Sequence, residues 1–405
     1  MSTSLLYHAL GLKKYKYVST EYEGGRIKFN IEPKASLLIC PNCGGTDVAR
    51  GGYVSREIKT LPIGLKPIVL GLNIPRVKCS SCACVRQIEL GISAPKRSYT
   101  KSLGRLVVDL SRRMSMLDIA EMLHMSWDSV KTIIKEHLVE RFSRPAIKNL
   151  KYLAIDEISI RKGHKYVSLV MNLESGAIIF VGDGKGSAAL APFWKMLGPS
   201  RRRKIKAVAI DLSPAYISAV TENLPKAKIV FDHFHVVKLM NDQVTEIRRR
   251  LYHEVKDVLQ KEALKGARWV LLKNPENLSE KHDEKQRLKE ALNLNEPLAT
   301  AYYMKEDLRQ IWAQPDKNTA ADVLDGWIKT AMSSGIAPLI KMGKTLLAHR
   351  YGILNWYDHP ISSAPLEGTN NKIKTLKRQA YGFRDLQFFK LRIMAIHEAR
   401  YAFTG

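Results

Sequence analysis

Two short apolar runs, Tyr152-Leu153-Ala154-Ile155-Asp156 and Ala207-Val208-Ala209-Ile210-Asp211, end in the same Ala-Ile-Asp tripeptide. Four or five apolar residues closed by a carboxylate make too short a unit for a helix. They read as strands with both faces buried and an acid at the end. The residues around them keep changing period. Strands are predicted at 151–160, 166–173 and 177–181, joined by turns at Arg161-Lys162-Gly163-His164 and Glu174-Ser175-Gly176. A helix follows at 187–197, then a strand at 206–210, a helix at 214–223 opened by Ser213 and a first-position Pro214, and a strand at 227–231.

That β-β-β-α-β-α-β order is the ribonuclease H-like (retroviral integrase) arrangement, an antiparallel meander joined to a parallel extension. Strands one and four then lie side by side, which brings Asp156 and Asp211 together. The next 110 or so positions, 241–350, read as charged amphipathic helices punctuated by Pro275, Pro297 and Pro315, an all-α insertion before the chain returns. Trp269, Trp312 and Trp327 lie within it, available to pack or to stack on bases. Glu367 opens a further helical stretch, and Asn370 and Asn371, three and four residues on, share its side. Glu157 and Asp183 are alternative acids. Gly182-Asp-Gly-Lys-Gly-Ser187 lacks both the third glycine of a dinucleotide fingerprint and the Lys-Ser/Thr end of a P-loop, so no nucleotide cofactor is expected there.

Charge points to a polyanionic partner. The chain holds 65 Lys+Arg against 39 Asp+Glu, a net +26 spread over its 405 residues. Clusters occur at 201–204 and 248–250, and Lys374, Lys377 and Arg378 form a basic flank able to grip phosphates. No apolar stretch approaches the ~20 residues that cross a bilayer. The apolar segment 5–12 is short and has no basic region before it, so no signal peptide or membrane partner is expected, and the protein is expected in the cytoplasm near the chromosome.

All five cysteines fall between positions 40 and 84, as Cys40-Pro-Asn-Cys43, Cys79-Ser-Ser-Cys82 and a remaining Cys84. An odd count paired at two-residue spacing argues against a disulfide scaffold and for a structural Zn²⁺ held by Cys40, Cys43, Cys79 and Cys82. Short strands between the knuckles suggest a zinc ribbon; Cys84 either substitutes for Cys82 or stands by. From Pro95 the pattern turns helical. Ser126 caps a helix whose Val130, Ile133, Ile134 and Leu138 face inward, leaving Trp127, Asp128, Ser129, Lys131, Thr132 and Lys135 outward. A plain three-helix bundle would give the same pattern. The flanking basic charge favours a helix-turn-helix that reads duplex DNA through Trp127, Ser129, Lys131, Thr132 and Lys135.

The chain resembles bacterial DDE insertion-sequence transposases of the family usually written ISL-three. The resemblance rests on the paired CxxC knuckles, on Ile229-Val-Phe-Asp-His-Phe-His-Val-Val-Lys238, and on Leu366-Glu-Gly-Thr-Asn-Asn-Lys-Ile-Lys-Thr-Leu-Lys-Arg-Gln-Ala-Tyr-Gly-Phe-Arg384. Where the family often carries Asn-Gly before the glutamate, this chain has Ser363-Ala364-Pro365. The resemblance implies that Asp156, Asp211 and Glu367 are a catalytic triad holding two Mg²⁺ (or Mn²⁺) ions. Asp232 and His235, in an Asp-x-x-His pattern, and Asn370 and Asn371 would support it. It also implies cleavage and strand transfer at terminal inverted repeats and target DNA, within a homodimer or larger synaptic assembly in a bacterial nucleoid. A catalytically inactive DNA-binding regulator and a structure-specific nuclease are the alternatives. The expected domains are a zinc ribbon at 1–94, a helix-turn-helix at 95–145, the catalytic core at 150–240 and 351–405, and the insertion at 241–350.

Overall fold

A computed structural model describes residues 3–145, 147–161 and 165–398. The turn expected at 161–164 therefore lies, apart from Arg161, outside the described residues. The chain forms two compact units, one running to Arg144 and resuming at Lys374, the other spanning Pro145–Ile373.

The first unit begins with α1 (Thr3–Ala9), β1 (Tyr15–Glu23), β2 (Arg26–Pro33), β3 (Val48–Ile63), β4 (Lys66–Cys79) and β5 (Val85–Gln87). The sheet order is β1-β2-β4-β3, with β5 paired to the end of β4. Gly24 and Gly25, both at positive φ, make the two-residue turn between β1 and β2 that a right-twisted hairpin prefers. This hairpin was not read from the sequence, although Gly-Gly between alternating segments is its signal. The strands expected between the knuckles are longer than foreseen. Pro75 sits inside the 14-residue β4, where β3 shifts register by a bulge between Arg50 and Tyr53 beside it. Phe29, Ile31, Ile58, Leu70, Ile74 and Val77 form the buried face.

Three helices follow: α2 (Lys101–Leu110), α3 (Met116–Met122) and α4 (Trp127–Phe142). Thr100 caps α2, Ser115 and Asp118 make a reciprocal capping box on α3, and Ser126 accepts the Ser129 amide at 3.2 Å to start α4. Val130, Ile133, Ile134 and Leu138 are buried against Leu103, Val107, Ile119 and Ala120.

The second unit holds β6 (Tyr152–Arg161), β7 (Lys165–Asn172), β8 (Ile178–Asp183), α5 (Ser187–Arg202), β9 (Ala207–Ile210), α6 (Pro214–Asn223) and β10 (Lys228–Phe231). Gly198, at φ 69°, breaks α5 just before Pro199. The strand order is β10-β9-β6-β7-β8: β6, β7 and β8 run as an antiparallel meander, and β9 and β10 add in parallel on the other side of β6. All four residues of β9 are buried, as a central parallel strand requires. Helices α7 (His233–Glu254), α8 (Val258–Gly266), α9 (Glu284–Asn293), α10 (Glu296–Arg309), α11 (Lys317–Ser333) and α12 (Ala337–Asp358) fill the long interval. Helix α12 returns to the sheet against β10. Gly352 makes this possible, since a Cβ there would stand 2.4 Å from Phe231 ring atoms. Asn355 fixes the contact by donating to the Ile229 carbonyl at 2.9 Å.

Helix α13 (Ala364–Gln379) starts in the second unit, and α14 (Leu386–Met394) belongs to the first. Residues 351–405 were expected to lie together in the catalytic core. The part from Lys374 onward instead groups with the first unit, because Phe388 and Leu391 bury their side chains in the α2–α4 cluster.

Candidate active site

Parallel pairing sets the two aspartates. Ala154 of β6 lies opposite Ala209 of β9, and two residues further along each chain stand Asp156 and Asp211. Neighbouring strands run about 4.8 Å apart, so the two side chains leave adjacent backbones. Asp156 accepts the Glu157 amide at 2.7 Å through one oxygen and the Asn370 side-chain amide of α13 at 2.8 Å through the other. Asp211 accepts the Ser213 amide at 3.0 Å, the turn that opens α6.

The alternative acids are placed elsewhere. Glu157 alternates to the opposite face of β6 and accepts the Tyr216 hydroxyl at 3.0 Å, and that hydroxyl also bonds Ser168 at 2.9 Å. Asp183 ends the edge strand β8, two strands from β6.

Asp232 directly follows β10 and is 2 % exposed. One oxygen caps α7 by accepting the Phe234 amide at 2.8 Å; the other takes the Ser363 amide and hydroxyl, both at 2.6 Å. It braces the turn entering α13, and Ser363, which stands where the family often has Asn-Gly, is the partner that sequence reading missed. His235 lies in the first turn of α7, within electrostatic reach of Asp156.

On α13, Glu367 occupies the first turn and is exposed. Asn370, one turn on, is 8 % exposed, and its side-chain oxygen is buried without a hydrogen-bond partner. Asn371 is exposed, so the two asparagines point to different surroundings. Lys374 and Arg378 are exposed further along.

Burial pushes the Asp156 carboxyl up from the usual carboxylate range. The Asp211 charge acts the same way, while the Glu157 amide, His235 and Asn370 oppose it. A half-buried carboxyl beside a second carboxyl and an unsatisfied amide oxygen is a set of hard oxygen donors suited to a divalent cation such as Mg²⁺. Among the described residues, the sulfurs of Cys40, Cys43, Cys79 and Cys82 all lie within 4.8 Å of one another, a ready set of four metal donors. The three acids are not gathered that tightly. The four sulfurs are soft donors at the mouths of two knuckles and suit tetrahedral Zn²⁺.

A family model described as a transposase matches residues 153–393, and one described as the zinc-finger of the IS204/IS1001/IS1096/IS1165 transposases matches residues 37–82. A third, the helix-turn-helix domain of transposase family ISL3, matches residues 88–138. The chain belongs to transposase family ISL3. The transposase for insertion sequence element IS1001 of Bordetella parapertussis is 30 % identical over 377 residues, covering 93 % of this chain and 92 % of its own length. The transposase for insertion sequence element IS1557 of Mycobacterium tuberculosis is 28 % identical over 396 residues, covering 90 % and 87 %.

This transposase carries a zinc ribbon and a helix-turn-helix, and its four-cysteine cluster fits a structural Zn²⁺. Among the described residues no helix is long and apolar enough to cross a membrane. The outward face of α4 is less open than its sequence suggests. Trp127 is exposed, with the Lys131 ammonium 5.4 Å from its ring centre, but Lys131 and Lys135 both reach Asp385, the α14 cap, at 3.4 and 2.9 Å. The Phe388 amide and the two lysines hold the Asp385 carboxyl down at about 2. Asp385 lies 250 residues from Lys135, and no local pattern announces such a pair.

Of the three tryptophans in the insertion, Trp327 is core and donates to the Met304 carbonyl at 2.7 Å. Trp312 lies 5.8 Å from the His233 ring, and Trp269 is exposed under the Arg268 guanidinium.

Proposed function

We propose that this transposase binds the terminal inverted repeats of its element and catalyses Mg²⁺-dependent cleavage and strand transfer on a ribonuclease H-like core. The single observation that carries the reading is the β6–β9 pairing that sets Asp156 beside Asp211, with Asn370 of α13 bonded to Asp156. In this reading the core comprises 150–240 and the chain from 351 into α13, interrupted by the all-α insertion 241–350. The ribbon (1–94) and helix-turn-helix (95–145), completed by α14, supply DNA contacts through Trp127, Ser129 and Thr132. Lys374, Lys377 and Arg378 hold backbone phosphates.

Asp156, Asp211 and Glu367 would hold the divalent ions, with the buried Asn370 oxygen as a further hard donor. When bound, two such ions, Mg²⁺ or Mn²⁺, would supply activation of the attacking oxygen and neutralisation of charge on the leaving 3′-oxygen. The residues of the chain do the rest. The Asn370 amide fixes the rotamer of Asp156. Asp232 holds Ser363, and through it the start of the helix that carries Glu367. Water then attacks at the element end, leaving a 3′-hydroxyl and a 5′-phosphate. That hydroxyl attacks target DNA, one phosphodiester forming as another breaks. Repeat binding by a homodimer or larger assembly lets one copy cut while another holds.

The test uses the full chain and duplexes bearing the element's terminal repeats. Asp156→Ala, Asp211→Ala and Glu367→Gln should each lower Mg²⁺-dependent cleavage at least about 100-fold, the scale of losing one charge-stabilising group. Repeat binding should persist. Cleavage retained by Asp211→Ala would overturn the site. Tight repeat binding without cutting by the unmodified protein would identify a regulator, and cutting of branched DNA without repeats or joining would identify a nuclease.

A further inference from the structure

The zinc ribbon holds one cysteine more than a tetrahedral ion takes. The Sγ atom of Cys84 lies 3.3 Å from that of Cys40 and 3.4 Å from that of Cys82, while Cys40–Cys82 and Cys43–Cys79 are 3.6 and 3.5 Å apart. Four sulfurs about 2.3 Å from a zinc ion stand about 3.8 Å apart along each edge of their tetrahedron. The contacts that Cys84 makes are therefore of the kind that ligands make with one another. Cys84 caps the Cys40–Cys82 edge.

The two knuckles explain how it arrives there, because they are built alike. The Gly44 amide donates to the Cys40 carbonyl at 2.9 Å, and the Ala83 amide to the Cys79 carbonyl at 3.0 Å. The Cys40 amide donates to the Gly45 carbonyl at 2.9 Å, and the Cys79 amide to the Cys84 carbonyl at 3.1 Å. Gly44 and Ala83 both take the left-handed conformation, at φ 75° and 54°. Ala83 does so despite its Cβ, at a cost of roughly 1–2 kcal/mol. Position 84 thus corresponds to position 45. A Cβ on Gly45 would stand 3.3 Å from the Cys43 sulfur and 3.6 Å from the Cys79 sulfur. This site in either knuckle faces the cluster; the first fills it with glycine, the second with a thiol.

We propose that Cys84 is an interchangeable zinc ligand, so that the ion is held by Cys40, Cys43, Cys79 and either Cys82 or Cys84. Zinc in structural sites is four-coordinate, so one of the two thiols is free at any time. In the exchange the Cys84 sulfur gives up its proton and bonds the ion, while the Cys82–zinc bond breaks and the Cys82 sulfur takes a proton. Ligand count and charge are unchanged.

Two measurements on the full-length chain test this. The first is zinc content and affinity in Cys82→Ser, Cys84→Ser, the double variant and Cys43→Ser. Each of the first two should keep one zinc per chain, with affinity within about tenfold of the unmodified protein. The double variant and Cys43→Ser should lose more than the roughly 10–100-fold that removal of an outer-shell partner causes. Zinc loss in Cys82→Ser as severe as in Cys43→Ser overturns the proposal. The second needs no substitution. Limited maleimide labelling of the zinc-loaded chain, located by peptide mass, should divide between Cys82 and Cys84 and total about one thiol. Label confined to Cys84, or label on all five cysteines alike, overturns it.

Discussion

Replacing Asp232 with alanine tests whether this residue is a structural brace. Its two oxygens accept the Phe234 amide at 2.8 Å and the Ser363 amide and hydroxyl at 2.6 Å, in a site where Asp232 and Ser363 are 2 % and 4 % exposed. Loss of the α7 cap costs about 1 kcal/mol. The Ser363 amide, left buried without an acceptor, costs a further ~1–3 kcal/mol, and its hydroxyl costs less because it can rotate. These losses share one carboxylate and do not simply add, so Asp232→Ala should destabilise by about 2–4 kcal/mol in total. Asp232→Asn keeps one acceptor but turns an N–H toward a donor, for about 2–3 kcal/mol, and Ser363→Ala loses one bond, for about 1 kcal/mol. Urea unfolding followed by tryptophan fluorescence suits the measurement, because five of the six tryptophans lie within 145–373 and report on that unit. The order Asp232→Ala, Asp232→Asn, Ser363→Ala should hold. A loss below about 1 kcal/mol for Asp232→Ala, with altered Mg²⁺ dependence of cleavage, would refute the brace and make Asp232 a metal ligand.

Four further outcomes are expected. Gly352→Ala drives a Cβ to 2.4 Å from the ring of the fully buried Phe231 and should cost about 3 kcal/mol. Gly326→Ala in α11 meets nothing within 4 Å and should stabilise by about 0.5–1 kcal/mol, both read from urea midpoints. Asp385 has a folded pKa of about 2, below its ordinary 3.8, so its stabilising effect is present above pH 4 and disappears as pH falls toward 2. Thermal unfolding of Asp385→Asn should show a deficit of about 1 kcal/mol at pH 5, after allowance for solvent screening, and a much smaller one at pH 2; an equal deficit at both would discount the ion pairs. Asn370→Ala should lower the cleavage rate about 10–100-fold, as loss of an outer-shell partner does, with repeat binding intact; an unchanged rate would remove Asn370 from the site.

The strand order of the second unit was legible because each element carries its own period, and parallel pairing then fixes Asp156 against Asp211. The α3–α4 pair was legible for the same reason: Ser126, Val130, Ile133 and Ile134 state a cap and an inward face within nine residues. What stayed hidden depends on partners far away in the chain. Ser363 meets Asp232 across 131 residues, and Asp385 meets Lys135 across 250. Neither contact leaves a periodic trace. The β1–β2 hairpin was hidden differently: its strands are mostly polar and half-exposed, so alternation is weak, and only Gly24-Gly25 marks it. Asn370 and Asn371 looked equivalent by spacing, and burial separates them.

The helix that closes the α2–α4 bundle is made long after the three it packs on. Asp385 follows Lys135 by 250 residues, and a ribosome adding about 5–20 residues each second needs roughly 12–50 s to cover that distance. Throughout that interval the seat for Phe388 and Leu391 stands open to water and Lys131 and Lys135 lack their carboxylate. A nascent or truncated chain would carry a sticky, more positively charged head that the finished protein does not have.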